Sequence, residues 1–108
     1  MRRGDIVTVA LSGDYGKPRP AVVIQVDRLA DMDSVLVCQI TTTFRDAPFY
    51  RLTVPLAPGT GLRELSHVMA DKIAAAKRSK CGPAIGRLPR NLMRALDRML
   101  AVIIGLAD

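Results

Sequence analysis

Lys17-Pro-Arg-Pro-Ala-Val-Val-Ile24 places one arginine, Arg19, between two prolines at the start of a strongly apolar segment. Proline fixes its own φ and restricts the residue before it to extended geometry, so the backbone on both sides of the arginine is stiff. The β-branched residues that follow predict a buried strand over Ala21–Val26. A guanidinium at the end of a core strand is well placed to hold a phosphate. The alternative is an ordinary solvated arginine in a loop.

The composition is that of a small folded domain with a basic surface. The 108 residues, nearly half of them apolar, predict a single domain over residues 1–108 with a real core. A formal net charge of +6 favours a polyanion or an acidic protein as the partner, although a merely soluble basic surface has the same charge. Aromatic residues make up only 4% of the chain, so base stacking is not expected to dominate a nucleic-acid contact.

The two cysteines, Cys38 and Cys81, have no spacing typical of a metal site, so the sequence predicts neither a metal nor a cofactor. Two thiols behind an N-terminus with no apolar signal core predict a reduced, cytoplasmic protein, with a disulfide left open. No apolar run is long enough to span a bilayer, so we expect no membrane partner.

Short segments of alternating or continuous apolar residues predict a mainly β protein. They predict strands over Asp5–Leu11, Ala21–Val26, Ser34–Thr41, Phe49–Val54 and His67–Ile73, and a short strand or turn over Gly82–Leu88. Pro89 stands where a helix can begin, and the spacing of the apolar residues after it predicts a helix from Arg90 onward. Strands followed by one helix favour a small barrel closed by that helix, since closing a sheet removes its edges.

Six further positions have both a functional and a structural interpretation. Tyr15, in the turn-forming segment Ser12–Gly16, either covers a base or a partner or lies flat on its loop. The hydroxyls of Thr41-Thr42-Thr43 either orient a sugar or phosphate or reflect β propensity alone. His67, the one histidine, is a candidate base or a histidine at a sheet edge, and Asp71 is a site carboxylate or a simple ion-pair partner.

Several segments, taken in order, resemble the MazF/PemK toxins over essentially the whole chain. The opening Arg3-Gly4-Asp5-Ile6-Val7 is similar to the start of that family, and Arg19-Pro20-Ala21-Val22-Val23 resembles its second-strand motif. The later matches are Ile40-Thr41-Thr42, Gly61-Leu62 through Ser66, Val68, Asp71-Lys72-Ile73 and Ile85-Gly86-Arg87-Leu88.

This resemblance implies an SH3-like barrel of the CcdB/MazF type that forms a homodimer. It implies a metal-independent endoribonuclease that cuts single-stranded RNA, often mRNA, and leaves a 2′,3′-cyclic phosphate. It also implies a MazE-like antitoxin whose acidic tail occupies the RNA groove. The family's essential arginine and threonine fall on Arg19 and Thr41.

The remaining site residues follow from the resemblance together with their place in the chain. We expect Asp71 to match an aspartate of the site, and we expect Lys17, Tyr15, Thr42, Ser66 and His67 to contact RNA. One departure concerns the proton chemistry: Met69 stands where PemK-type members carry an arginine, and their first-loop histidine has no counterpart. Either Arg19 takes more of the proton transfer or another group does.

Two other functions stay open from the sequence. CcdB toxins share the barrel but bind gyrase, and they lack an arginine–threonine pair in the groove. A non-catalytic SH3-like module would bind RNA or protein in a salt-dependent manner without cleaving.

Overall fold

Six antiparallel strands form one sheet in the computed structural model, which describes residues 1–11 and 17–108. The strands are β1 (Asp5–Val9), β2 (Arg19–Val23), β3 (Ser34–Thr41), β4 (Arg51–Val54), β5 (Ser66–Lys77) and β6 (Cys81–Arg87), and helix α1 follows at Arg90–Ile103. Their order across the sheet is β4-β5-β3-β2-β1-β6. Short 3₁₀ turns lie at Asp27–Leu29, Pro58–Thr60 and Arg78–Lys80. The expected mainly β class with a C-terminal helix is confirmed.

Of the predicted strands only Ser34–Thr41 has the bounds that the structure shows, and the others differ by one to four residues at one or both ends, with β2 and β5 differing for identifiable reasons. β2 begins at Arg19, two residues earlier than predicted, because Arg19 and Pro20 pair with Val9 and Thr8 of β1. β5 continues four residues past Ile73, because its second half pairs with the first half of β3.

A bulge divides β5 into two halves. Val68 pairs with Ile40 and Ile73 pairs with Cys38, so residues 69–72 of β5 lie opposite the single residue Gln39 of β3. An insertion of this kind bends the strand and increases its twist. As a result the even-numbered residues of β5 change face: Val68 and Ala70 belong to one apolar core and Ala76 to the other.

Each face of the sheet carries a separate apolar core. The core under α1 contains Ile6, Val22, Cys38, Ile40, Leu52, Val54, Val68, Ala70, Leu88, Leu96 and Leu100. The core on the opposite face contains Val7, Val9, Ala21, Val23, Val35, Val37 and Ala76. β1, β2 and β3 alternate between the two sets, which explains why these strands are apolar on both faces.

The two ends of the sheet meet through backbone contact. A Cβ added at Gly61 would lie 2.1 Å from the carbonyl oxygen of Ile85, and one added at Gly86 would lie 2.2 Å from the carbonyl carbon of Thr60. Gly61 also has a φ of +71°, a conformation that favours glycine. The segment after β4 therefore packs directly on β6, and the sheet curls into a barrel without a ladder between β4 and β6.

Helix α1 packs against β4 and β5 and covers one of the two cores. Leu96 is fully buried and Leu100 is nearly so, whereas Arg90, Arg94 and Arg98 are exposed on the other side of the helix. The amphipathic spacing read from the sequence thus matches the helix found. In residues 1–11 and 17–108, none of the helices has the length and apolar character needed to cross a membrane.

Candidate active site

A hollow opens where β2 and β3 separate. The two strands pair at only three positions, from Ala21 with Gln39 to Val23 with Val37. The Ile24 N–H donates to Leu36 O on β3 at 3.0 Å, and backbone donors alternate in direction along a strand, so the nitrogen of Pro20 also faces β3. Because proline has no N–H, the ladder cannot extend past Ala21 and the strand ends diverge.

This hollow, called the Arg19 hollow below, has a volume of about 270 Å³. It is lined by Arg19, Pro20, Gln39, Ile40, Thr41, Thr42, Thr43, Ser66 and Met69. Cys38 and Ile40 belong to the core under α1, so the alternating side chains of Gln39 and Thr41 lie on the opposite face of the sheet. The hollow is therefore on the face away from the helix.

Arg19 is exposed at the first residue of β2, where its backbone is held by the pairing with Val9. Within residues 1–11 and 17–108, no carboxylate lies within 4.0 Å of its guanidinium. Arginines 3 and 87, in contrast, pair with Asp97 and Asp5. A guanidinium that has no carboxylate partner and lines a hollow can donate two parallel hydrogen bonds to a phosphate.

Thr41, at the end of β3, has an oriented hydroxyl. The Thr43 N–H donates to Thr41 Oγ1 at 3.1 Å, which fixes the oxygen and leaves the hydroxyl hydrogen free to be donated to a ligand. Ser66 is buried, and its hydroxyl donates to Glu64 O at 2.8 Å. Of these two hydroxyls, that of Thr41 has its donor capacity uncommitted.

The structure thus brings Arg19, Thr41, Thr42 and Ser66 together and places Lys17, His67 and Asp71 elsewhere. Lys17 is exposed and does not line the Arg19 hollow. His67 is buried and lines a neighbouring hollow. Tyr15 lies outside the described residues.

Asp71 lies apart from the Arg19 hollow. It is exposed in the β5 bulge, and its charge acts on Cys38, whose side chain belongs to the core under α1. Burial first, and the Asp71 carboxylate second, raise the pKa of the Cys38 thiol to about 12. Burial also raises the pKa of Cys81, and both cysteines are free thiols.

Besides the core residue Ile40, three residues of the Arg19 hollow carried no functional assignment from the sequence. Gln39 lies two residues before Thr41 on the same strand, so the two-residue period could have identified it. Pro20 acts through a missing donor, which is visible only once its strand partners are known. Met69, which stands where PemK-type members carry an arginine, lines the hollow. Its ladder partner is Arg51 of β4, so an arginine lies next to this position on the neighbouring strand.

No group of three His, Cys, Asp or Glu side chains suited to a metal ion is found in the part of the chain that the structure describes. The polar groups of the Arg19 hollow are a guanidinium, hydroxyls and an amide. Such a set offers hydrogen-bond donors and positive charge to an anion. The site that the fold defines is therefore a hollow whose chemistry suits an anion, on the face of the sheet away from α1.

Comparison with known proteins assigns the chain to a class. Residues 2–104 match the family of PemK-like, MazF-like toxins of type II toxin–antitoxin systems. A probable endoribonuclease MazF from Mycolicibacterium smegmatis is 44% identical over an alignment of 108 positions that covers 99% of this chain and 99% of that one. The chain belongs to the PemK/MazF toxin family.

Solved structures share this fold. An endoribonuclease from a mycobacterial species, solved in complex with its cognate antitoxin, superposes with a TM-score of 0.80 at 23% identity over 100% of this chain and 98% of that one. The Mycobacterium tuberculosis toxin MazF-mt6 superposes with a TM-score of 0.81 at 24% identity over 96% and 99% of the two chains.

Proposed function

We propose that this chain is an endoribonuclease toxin of a type II toxin–antitoxin module that cleaves single-stranded RNA, with mRNA as the expected target, at short sequence motifs and without a metal ion. The toxin family and the 44% identical relative support the class of activity. The observation that supports the site is that the Arg19 guanidinium, which has no carboxylate partner among residues 1–11 and 17–108, shares one hollow with the oriented hydroxyl of Thr41. The net charge of +6 favours a polyanionic substrate.

The proposed reaction is an internal transesterification. The ribose 2′-oxygen loses its proton to a base and bonds to phosphorus, and the bond from phosphorus to the 5′-oxygen breaks. The leaving oxygen takes a proton, so the products are a 2′,3′-cyclic phosphate and a 5′-hydroxyl. Such a reaction needs charge stabilisation at the phosphorane as well as proton transfer.

Arg19 and Thr41 have distinct roles in this proposal. The Arg19 guanidinium stabilises the negative charge that develops on the phosphorane oxygens and serves as the candidate proton donor to the leaving oxygen. The Thr41 hydroxyl, with its oxygen held by the Thr43 N–H, donates to the phosphate or to the attacking hydroxyl and orients it. Asp71 is exposed in the bulge and does not line the Arg19 hollow, so no step of this reaction is assigned to it.

We further propose that residues 1–108 act as one domain, in a homodimer, in the cytoplasm, and that an antitoxin with an acidic segment inhibits the dimer. A related toxin was solved with its cognate antitoxin, which supports the antitoxin as partner. The basic surface supports an acidic inhibitory segment, since opposite charges speed association and select the partner.

The decisive experiment compares Arg19→Ala with Arg28→Ala. Both variants lose one positive charge, but Arg28 is exposed on a 3₁₀ turn and lies outside the Arg19 hollow. Purified proteins are incubated with a mixed RNA in EDTA, and the cleavage rate and new 5′ ends are recorded. Loss of one preorganised donor of charge stabilisation lowers such a rate by about 10²–10³.

We expect the unchanged chain and Arg28→Ala to cut at the same sites and Arg19→Ala to lose cutting and growth arrest while keeping its unfolding temperature. Full activity of Arg19→Ala would refute the assignment of this residue. Intact RNA together with trapped gyrase–DNA complexes would instead support a gyrase poison, and salt-sensitive RNA binding without cuts would support a binding module.

A further inference from the structure

A second, smaller hollow adjoins the Arg19 hollow on the same face of the sheet. It has a volume of about 150 Å³ and is lined by Phe44, Arg45, Asp46, Ala47, Pro48, Arg51, Thr53 and His67. We call it the Phe44 hollow. Since each water takes up about 30 Å³ of the liquid, the space equals that of about five waters and suits one flat ring.

The two hollows are continuous along both chain and ladder. Thr41, Thr42 and Thr43 line the first, and the next residue, Phe44, lines the second. Met69 of the first hollow is the ladder partner of Arg51 of the second, and neighbouring strands are about 4.8 Å apart. The Phe44 hollow is thus within reach of a base on the nucleotide next to a phosphate held by Arg19.

Phe44 gives the hollow an aromatic wall with a free surface. Its side chain is 71% exposed, and its ring meets the His67 ring edge-on, with centroids 5.6 Å apart and an interplanar angle of 69°. The His67 ring is itself held by a hydrogen-bond contact to β4, since its Nδ1 lies 3.4 Å from Thr53 Oγ1. A planar ligand can therefore stack on the phenyl face without displacing the histidine.

Arg51 gives the hollow an unmet donor. Its Nε is buried and has no hydrogen-bond partner in residues 1–11 and 17–108. A buried N–H without an acceptor is unfavourable, and no hydrogen bond of this Nε holds the Arg51 side chain back from turning its guanidinium toward an acceptor in the hollow. Guanidinium groups offer donors only, and guanine is the base whose edge presents two adjacent acceptors, O6 and N7.

We propose that the Phe44 hollow binds one unpaired nucleobase of the RNA substrate, guanine in preference to adenine, at a position flanking the cleaved phosphate. The base stacks on Phe44 and accepts hydrogen bonds from Arg51. This inference rests on the proposed endoribonuclease function and names residues that select its cleavage sequence. One exposed ring is sufficient for one stacked base, which fits a chain that has few aromatic residues.

The test uses single-stranded RNA substrates randomised at the nucleotides that flank a mapped cut, and it compares Phe44→Ala with Phe49→Ala. Phe49 is 84% exposed in the same segment but does not line the hollow, so it is a matched aromatic control. Stacking of a base on an aromatic ring contributes an amount that corresponds to about 5- to 150-fold in affinity. We expect Phe44→Ala to lower kcat/KM about tenfold and to erase the base preference at one flanking position only.

Three further variants identify the chemistry. Phe44→Trp keeps an aromatic face and should retain the preference, whereas Phe44→Leu keeps only apolar character and should lose it. Arg51→Gln should move the preference from guanine toward adenine, because glutamine pairs with adenine N6 and N7. All Phe44 variants should keep the unfolding temperature, since the residue is mostly exposed.

The inference is overturned if Phe44→Ala retains both the base preference and kcat/KM of the unchanged chain within twofold. If the unchanged chain cuts no RNA, the proposed function fails, and binding of a labelled guanine-containing single strand then decides the subsite alone. Weaker binding by Phe44→Ala than by Phe49→Ala supports the subsite in that case, and equal binding overturns it.

Discussion

Gly86→Ala should strongly destabilise the protein, because residue 86 lies where the two ends of the sheet meet. The added Cβ would lie 2.2 Å from the Thr60 carbonyl carbon, 2.3 Å from the Thr60 oxygen and 2.6 Å from the Gly59 oxygen. Ordinary contacts begin at 3.4 Å, so the two segments must move apart by about 1 Å. All three atoms belong to the backbone, and no change of rotamer can relieve the overlap.

The expected loss is at the upper end of the range for overpacking, about 3 kcal/mol in the free energy of unfolding. For a domain of about 100 residues each kcal/mol shifts Tm by about 4–8 °C, so the loss corresponds to a fall of at least about 10 °C. Gly59→Ala is the matched control, because nothing lies within 4 Å of its added Cβ. That variant should change the free energy of unfolding by less than about 1 kcal/mol.

Urea and thermal unfolding, followed by circular dichroism, measure both variants. Ordinary surface substitutions change the free energy of unfolding by up to about 0.5 kcal/mol. If Gly86→Ala changes it by no more than that, the close packing of the Thr60 segment on β6 is refuted. Equal losses in both glycine variants would show that the overlap at residue 86 is not the cause.

Two more predictions concern the core under α1. Folding keeps the Cys38 thiol neutral, with its pKa raised from 9.0 to about 12, so its contribution to stability is complete below pH 9 and is lost as the pH rises toward 12. Urea titrations over that window should show an added loss of about 1.4 kcal/mol per pH unit, absent in Cys38→Ala and present in Cys81→Ser. Leu96→Ala removes a fully buried side chain and should lower the free energy of unfolding by about 3 kcal/mol, and a loss below about 1 kcal/mol would contradict the assigned packing.

The strand segments could be predicted because their alternation is local. Ser34–Thr41 was predicted with the bounds that the structure has, since its side chains meet the two cores in turn. The start of β2 could not be predicted, because a proline normally indicates that a segment is not the interior of a sheet. The exception is a proline whose nitrogen faces a place where no partner strand is paired. Here the nitrogen of Pro20 faces the place where β2 and β3 separate. That separation depends on how two distant parts of the chain pair, which the local sequence does not give.

The site could be predicted only in part, because its residues come from distant parts of the chain. Arg19 and Thr41 are 22 positions apart, and only the pairing of their strands brings them to one hollow. For Asp71 the two-residue period of β5 gives no answer, because the bulge at residues 69–72 changes which face the following residues occupy. The role of His67 depended on Phe44 and Thr53, which lie on other segments.

The proline at residue 20 has a consequence for how this protein can change over time. The Arg19 hollow arises from an absent amide hydrogen and not from a missing core side chain. Of the residues that line it, only Ile40 belongs to one of the two apolar cores. Exchanges of the exposed residues at its rim should therefore leave the free energy of unfolding nearly unchanged. The residues that shape this surface and the residues that hold the fold together are largely different sets, so one set can be replaced without repacking the other.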